Sequence, residues 1–361
     1  MPHQIPKIQG CNIQKVIITR GAFGEIYEPA WNRTLNDLGI KSKIFDTHSL
    51  TLPGILGRIE RRILWGPGIS RIKRNFVALI KSERPDVTLL YQGHYFDRET
   101  LEEIRHFTFI AGYHNDDPFG ARKTMLRYRL FLPALASYHG FHVYRSCNVE
   151  EALACGVPKV KVLMPYYLPW LDYPRKLNGE NRNRWGTDVM FAGHVENDFR
   201  VECLTKAIRE GIKVRIYGEK RFWKPALPSD IYEKINPIVK VVGEDYRKAL
   251  GGAKIAACFF SKWNRDQYTR RSFEIPACRV FLLSEKTPMM QELYKEGKEA
   301  EFFSTPEEFL DKVKFYLYHE DVRKRITEAG YQRVSTSGRD IYSRMRQWLE
   351  DVSQWQEELT L

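Results

Sequence analysis

No stretch of the chain approaches the roughly 20 consecutive apolar residues that span a bilayer, so a membrane-crossing helix is not expected. Met1–Gln14 is polar, holds two prolines and has no apolar core, which argues against a secretory signal and makes a cytoplasmic protein the expectation. Cysteine is scarce: Cys11, Cys147, Cys155, Cys203, Cys258 and Cys278 are the six in 361 residues. None forms a Cys-x-x-Cys pair, which argues against structural zinc. Most lie in apolar runs such as Ala256–Phe260 and suit buried free thiols in a reducing compartment. Internal repeats and low-complexity segments are also missing, which excludes solenoids and linker-like chains.

What is present is ordinary globular material with an excess of positive charge. Hydrophobic residues make up 43% and charged residues 28%, so disorder is not the default. The net charge of +12 favours anionic partners: nucleotides, nucleic acid or an acidic membrane surface.

The length suggests two domains. β-Branched runs alternate with helical spacing in each half, the pattern of parallel sheets with crossover helices. Strands are expected at Lys15–Thr19, Ser42–Phe45, Asp86–Tyr91, Phe107–Ala111, Phe141–Tyr144 and Lys159–Leu163. A polar, turn-rich stretch follows, and the pattern restarts at Asp188–Ala192, Lys213–Tyr217, Ile238–Val242, Ile255–Phe259 and Val280–Leu283. The expected division is a first α/β domain over 1–172, a linker over 173–186, a second α/β domain over 187–335 and a helix over 336–361. Tyr342, Trp348 and Trp355 in that last segment suit packing. Ligands of doubly wound sheets bind at the carboxyl ends of strands, and two such domains would face each other across a cleft.

The segment Asn264–Leu283 carries the most chemistry. A strand gives way to a polar loop and then to a short helix expected to begin near Ser272. A helix N-terminus offers unpaired N–H groups and a positive dipole end. Arg270 and Arg271 stand beside it with guanidinium forks suited to phosphate oxygens. Glu274, in the first turn, is placed to accept hydrogen bonds from ribose hydroxyls, and Asp266 to meet a sugar ring.

This segment resembles the donor-site signature of GT-B glycosyltransferases, in which seven residues separate two acids, as they do Asp266 and Glu274. It is similar above all to the family 1 type group related to spore-maturation and spore-coat glycosyltransferases. Tyr268-Thr269-Arg270-Arg271-Ser272-Phe273-Glu274, Pro276-Ala277-Cys278 and Phe281–Glu285 carry the likeness, which extends over 191–331. Arg279 departs from the family's glycine, and Asp266 from its commoner Glu. The resemblance implies a GT-B fold of two Rossmann-like domains and transfer of a sugar from a nucleoside diphosphate sugar to an acceptor hydroxyl. It implies no metal and no cofactor beyond the donor substrate. Donor binding is implied for Gly193, His194, Arg200, Asp266, Tyr268, Thr269, Arg271, Phe273 and Glu274, with Arg200 and Arg271 on the diphosphate. The loop Gly218–Arg221 would lie near the base.

On the acceptor side, Gly21-Ala22-Phe23-Gly24 follows the first strand and is either a ligand-approaching loop or a plain tight turn. Tyr113-His114-Asn115-Asp116-Asp117-Pro118 resembles an aromatic-x-x-Asp-Asp-Pro element of the same family. Asp116, Asp117, His114 and His94 are all candidates for the group that takes the acceptor's proton. The Asp116-Asp117 doublet lacks the D-x-D spacing of a metal site. The basic stretch 57–76 is either a solvated helix face or a surface for membrane or nucleic acid. The acceptor is open: a glycan, a lipid-linked saccharide or a nucleic acid, with peripheral membrane contact. Epimerase, non-catalytic scaffold and nucleic-acid-binding protein stand as alternatives.

Overall fold

The structure, a computed structural model, describes residues 12–20, 26–120 and 125–360. The loop Gly21–Gly24 and Cys11 lie outside the described residues. Two compact units are present: 1–164 together with 341–361, and 165–340.

The first unit is built on six parallel strands, β1 (Lys15–Thr19), β2 (Lys41–Phe45), β3 (Val87–Tyr91), β4 (Phe109–His114), β5 (Gly140–Val143) and β6 (Val160–Val162), in the order β2-β1-β3-β4-β5-β6. Register is fixed by pairs such as Val16↔Val87 and Leu89↔Ala111. β3, β4 and β5 are buried along their whole length, as strands covered on both faces must be. One face packs Phe76, Phe96, Leu90, Ile110 and Phe141. The other receives Trp31 of helix Glu28–Asp37, which meets Tyr91 and Trp348 edge-on and Tyr113 at a tilt.

Trp348 belongs to the final helix, Ile341–Thr360, so this C-terminal segment is part of the first unit. Tyr342 donates to Asp37 (2.8 Å), and Asp351 holds His142 and Lys161. Trp355 sits so close to Gly140 that a Cβ there would come within 2.3 Å of the indole ring.

The second unit repeats the scheme with β7 (Thr187–Ala192), β8 (Val214–Tyr217), β9 (Ala253–Cys258), β10 (Phe281–Glu285) and β11 (Glu301–Phe303), all parallel, ordered β11-β10-β9-β7-β8. Phe191, Trp223, Phe259, Phe281, Phe303 and Phe309 lead its core. Residues 173–186, read from sequence as a linker, lie inside this unit and carry helix Gly179–Trp185, capped by Asn178. Ile238–Val242 is not a strand. Pro237 supplies no N–H just before it, Val239 and Val242 are exposed, and contact with β8 is a single bridge at Val239.

Strand order reverses between β1 and β3 in one sheet and between β7 and β9 in the other. These are the two topological switch points, outside whose carboxyl ends such sheets hold ligands. No helix among the described residues is long and apolar enough to cross a membrane.

Candidate functional site

At the second switch point, the loop Gly193–Phe199 leaves β7 and the loop Phe259–Arg270 leaves β9, leading into helix Arg271–Ala277. The β9 loop is braced from several sides. Glu285, at the end of β10, accepts from Phe260 N–H (3.1 Å) and pairs with Lys262. Thr287 Oγ1 donates to Gln267 O (2.6 Å), and Tyr294 Oη donates to Ser272 O (2.8 Å).

Glu274 is buried in the first turn of this helix. Its Oε1 accepts from Tyr246 Oη (2.6 Å), and its Oε2 lies 2.7 Å from Arg270 Nη1. Burial pushes the carboxyl's pKa up. The charges of Arg270 and Arg271, with the Tyr246 hydroxyl, outweigh this and hold it below the ordinary carboxylate value. Arg270 in turn donates to Asp172 Oδ2 (2.5 Å), and Asp172 accepts from Arg247 Nη2 (3.0 Å). Arg270 is therefore committed to a buried four-membered charge network. Arg271 is only half-buried, and its charge acts on Glu274, Tyr246, Cys258 and His194 together. It stands where the ends of β7 and β9 converge.

The helix N-terminus does not offer the free donors expected from sequence. Thr269 Oγ1 accepts from Arg271 N–H (3.0 Å), Thr269 O from Ser272 N–H, and Arg270 O from the N–H groups of Phe273 and Glu274. A helix of seven residues capped this way satisfies its own first turn. Thr269 is thus a cap, while Tyr268 and Phe273 are buried and meet edge to face, as core residues.

Arg200 also differs from its expected role on the diphosphate. It is 3% exposed and clamps the loops from within. Nε donates to Asp198 Oδ1 (2.7 Å), Nη2 to Asp198 Oδ2 (2.6 Å) and Phe260 O (3.1 Å), and Nη1 to His194 O (2.7 Å). With Asp198 neutralising it, Arg200 positions the β7 and β9 loops and offers little net positive charge. Gly193 is required by packing: a Cβ there would come within 2.7 Å of the Phe191 ring. Gly218, after β8, abuts Gly193 O and Trp223. His194 is exposed, and partial desolvation followed by the charges of Arg271 and Lys240 lowers its pKa, leaving it neutral near pH 7. Asp266 is half-buried in the β9 loop, five residues before Arg271.

Sequence inspection missed Asp172, Asp198, Tyr246 and Arg247. Asp198 lies two residues before Arg200 and was open to discovery as a local partner. Asp172 is 98 positions from Arg270, and no local pattern points to it.

In the first unit, His94 follows β3 and His114 ends β4, with ring centroids 5.1 Å apart, edge to face. His114 is buried. Its Nδ1 lies 3.1 Å from both the N–H and the carbonyl oxygen of Asp116, and its Nε2 meets no hydrogen-bond partner among the described residues. Burial, with Arg127 and Arg145 nearby, outweighs a backbone bond to Asp116 and the charge of Asp117 and pulls its pKa down to about 3. His94 is partly exposed, and desolvation, then His114 and Arg127, hold its pKa well below the ordinary value. Asp116 lies 3.2 Å from Arg127.

Asp117 does not suit a base. It is fully buried, and its Oδ1 accepts from Phe119 N–H, Gly120 N–H and Asn148 Nδ2 at 3.0–3.1 Å, so it anchors the turn. Among the described residues no cluster of three His, Cys, Asp or Glu is placed to hold a metal ion.

Residues 199–350 match a family model described as "Glycosyl transferase-like". No curated protein sequence matches the chain. Solved structures resemble it along almost its whole length. The protein Alr3699/HepE from Anabaena, in complex with UDP and glucose, gives a TM-score of 0.64 at 11% identity, over 94% of this chain and 100% of that one. A glycosyltransferase from Rickettsia africae ESF-5 gives 0.65 at 12%, over 95% and 99%. Sucrose-phosphate synthase from Thermosynechococcus elongatus gives 0.63 at 11%, over 96% and 98%. These likenesses show the GT-B fold, and the glycosyl transferase-like match falls on the second unit and the start of the final helix.

Proposed function

We propose that the protein transfers a sugar from a nucleoside diphosphate sugar to an acceptor hydroxyl. The observation that carries this is the half-buried Arg271 at the start of the helix that holds the buried Glu274, at the β7/β9 switch point. Arg271 stabilises the leaving diphosphate, with His194 beside it as a neutral donor; positive charge is needed where negative charge develops. Glu274 holds the ribose hydroxyls and Asp266 meets the donor sugar. The bond from the anomeric carbon to the diphosphate breaks, the bond to the acceptor oxygen forms, and the acceptor's proton leaves.

His94 is the proposed base for that proton, because it is partly exposed and neutral at physiological pH. His114 and Asp116 support it. In this account the leaving group needs no metal, and the donor is the only small-molecule requirement. The acceptor is an anionic one: a glycan, a lipid-linked saccharide or a nucleic acid. A cytoplasmic location agrees with the five described cysteines being free thiols. The uridine nucleotides bound to the Anabaena protein make them the first donors to try. The matched family model favours transfer over epimerisation, a scaffold role or nucleic-acid binding alone.

The test is release of nucleoside diphosphate from a panel of nucleotide sugars, with chelator present. Turnover of one donor, lowered about a hundredfold or more by His94→Asn, is the expected result. No turnover of any donor, or turnover untouched by Arg271→Gln, contradicts the reading.

A further inference from the structure

The basic stretch that the sequence singles out forms two helices, Gly54–Ile63 and Pro67–Glu83, separated by a left-handed turn at Leu64 and Gly66. The first of them is built inside out. Ile55 is 66% exposed, Leu56 59% and Ile59 48%, and Trp65, just past its end, is 70% exposed. Residues 55 and 59, one turn apart, share an arc with 56 and 63, so the apolar stripe faces outward. Arg58 and Arg62 flank it and are also exposed. The helix packs beside the turn Leu126–Tyr128, which adds Met125 and Leu126, 47% and 45% exposed. Arg129 ties the two together by donating to Leu64 O (3.0 Å).

The charge arrangement shows what this face is built to meet. Between 47 and 82 the chain holds one acid, Glu60. Glu60 points inward, 5% exposed, accepting from Leu52 N–H (3.1 Å) and Gly68 N–H (2.7 Å). It fastens the helix to its neighbours and removes negative charge from the outer surface. Outward-facing aliphatics, an exposed indole and flanking arginines with no acid among them are the makeup of a helix that lies in a membrane interface. Trp65 offers a base one ring to stack on, but the aliphatic side chains around it offer none, which disfavours a single-stranded RNA partner.

We infer that the face made by Ile55, Leu56, Ile59, Trp65, Met125 and Leu126, with Arg58 and Arg62, docks the protein on an anionic lipid surface. The apolar stripe enters the headgroup boundary, and the arginines pair with lipid phosphates. This surface is independent of the donor site, so either can fail without the other.

The test is flotation of the full chain with vesicles of phosphatidylcholine alone and of phosphatidylcholine mixed with phosphatidylglycerol, at low and high salt. Binding to the anionic vesicles, weakened by salt, is expected. Arg58→Gln/Arg62→Gln should lower the partition coefficient about thirtyfold, roughly fivefold per arginine. Ile59→Ser/Trp65→Ser should abolish it, with thermal midpoint and donor turnover in solution unchanged in both variants. The inference is overturned if anionic vesicles do not bind, or if neutral ones bind equally. It is also overturned if both variants bind as the natural chain does. A face that instead holds single-stranded RNA, or a second copy of the chain lost in the same variants, overturns it too.

Discussion

Arg279 is held at φ +57°, the left-handed position that ends helix Arg271–Ala277. Its N–H donates to Pro276 O and that of Val280 to Ile275 O, the double bond of a Schellman cap. Glycine fits this position without a Cβ penalty, which accounts for the Gly found there in the resembling family. The ion pair with Glu328 is exposed and contributes little. Arg279→Gly should therefore be more stable than Arg279→Ala by about 1 kcal/mol in urea denaturation; equal stabilities would contradict the cap. At His94 the prediction concerns pH. A base must be unprotonated, and a lowered pKa keeps it so at lower pH. The acid limb of kcat/KM should lie well below the ordinary histidine value of about 6.5. The spacing of Asp266 and Glu274 pointed from sequence to the β9 loop and the helix that follows it. Which arginine stays committed to the protein was not legible, because the deciding partner, Asp172, is remote in sequence.

At the level of elements, helix Arg271–Ala277 is fastened by buried charge. Glu274→Ala would leave Arg270 without one of its two carboxylates in a buried setting, which costs about 3 kcal/mol. Loss of ligand binding in that variant would mix collapse of the helix with loss of a contact. Arg271→Gln, at a half-buried position, is the cleaner probe. Thermal denaturation without ligand should show Glu274→Ala strongly destabilised and Arg271→Gln within about 0.5 kcal/mol of the natural chain. Strand periodicity located ten of the eleven strands from sequence, because parallel strands covered on both faces are short continuous apolar runs. It misread Ile238–Val242, where apolar content is similar but Val239, Lys240 and Val242 face solvent. It also supplied no partner for the acidic β11, Glu301–Phe303, whose Glu301 is buried against Lys312 and Tyr316.

For the molecule as a whole, buried neutral histidines set a pH dependence. His114 and His142 are buried, and desolvation lowers the pKa of both, that of His114 to about 3. The unfolded chain takes up protons on these rings from about pH 6.5 downward, while the folded chain does not. Stability should therefore fall with acidification below that point, by about 1.4 kcal/mol per pH unit for each ring that stays neutral in the folded state. Thermal midpoints that stay flat between pH 7 and 5 would contradict the burial of these groups.

The central claim is that the second unit holds a nucleoside diphosphate at the β7/β9 switch point through Arg271. The most direct measurement is the unfolding free energy of the natural chain and of Arg271→Gln against a panel of nucleoside diphosphates. A ligand at about 100 times its dissociation constant should add about 2.7 kcal/mol to the natural chain and much less to the variant. Equal stabilisation of both chains, or none from any nucleotide, would contradict the claim.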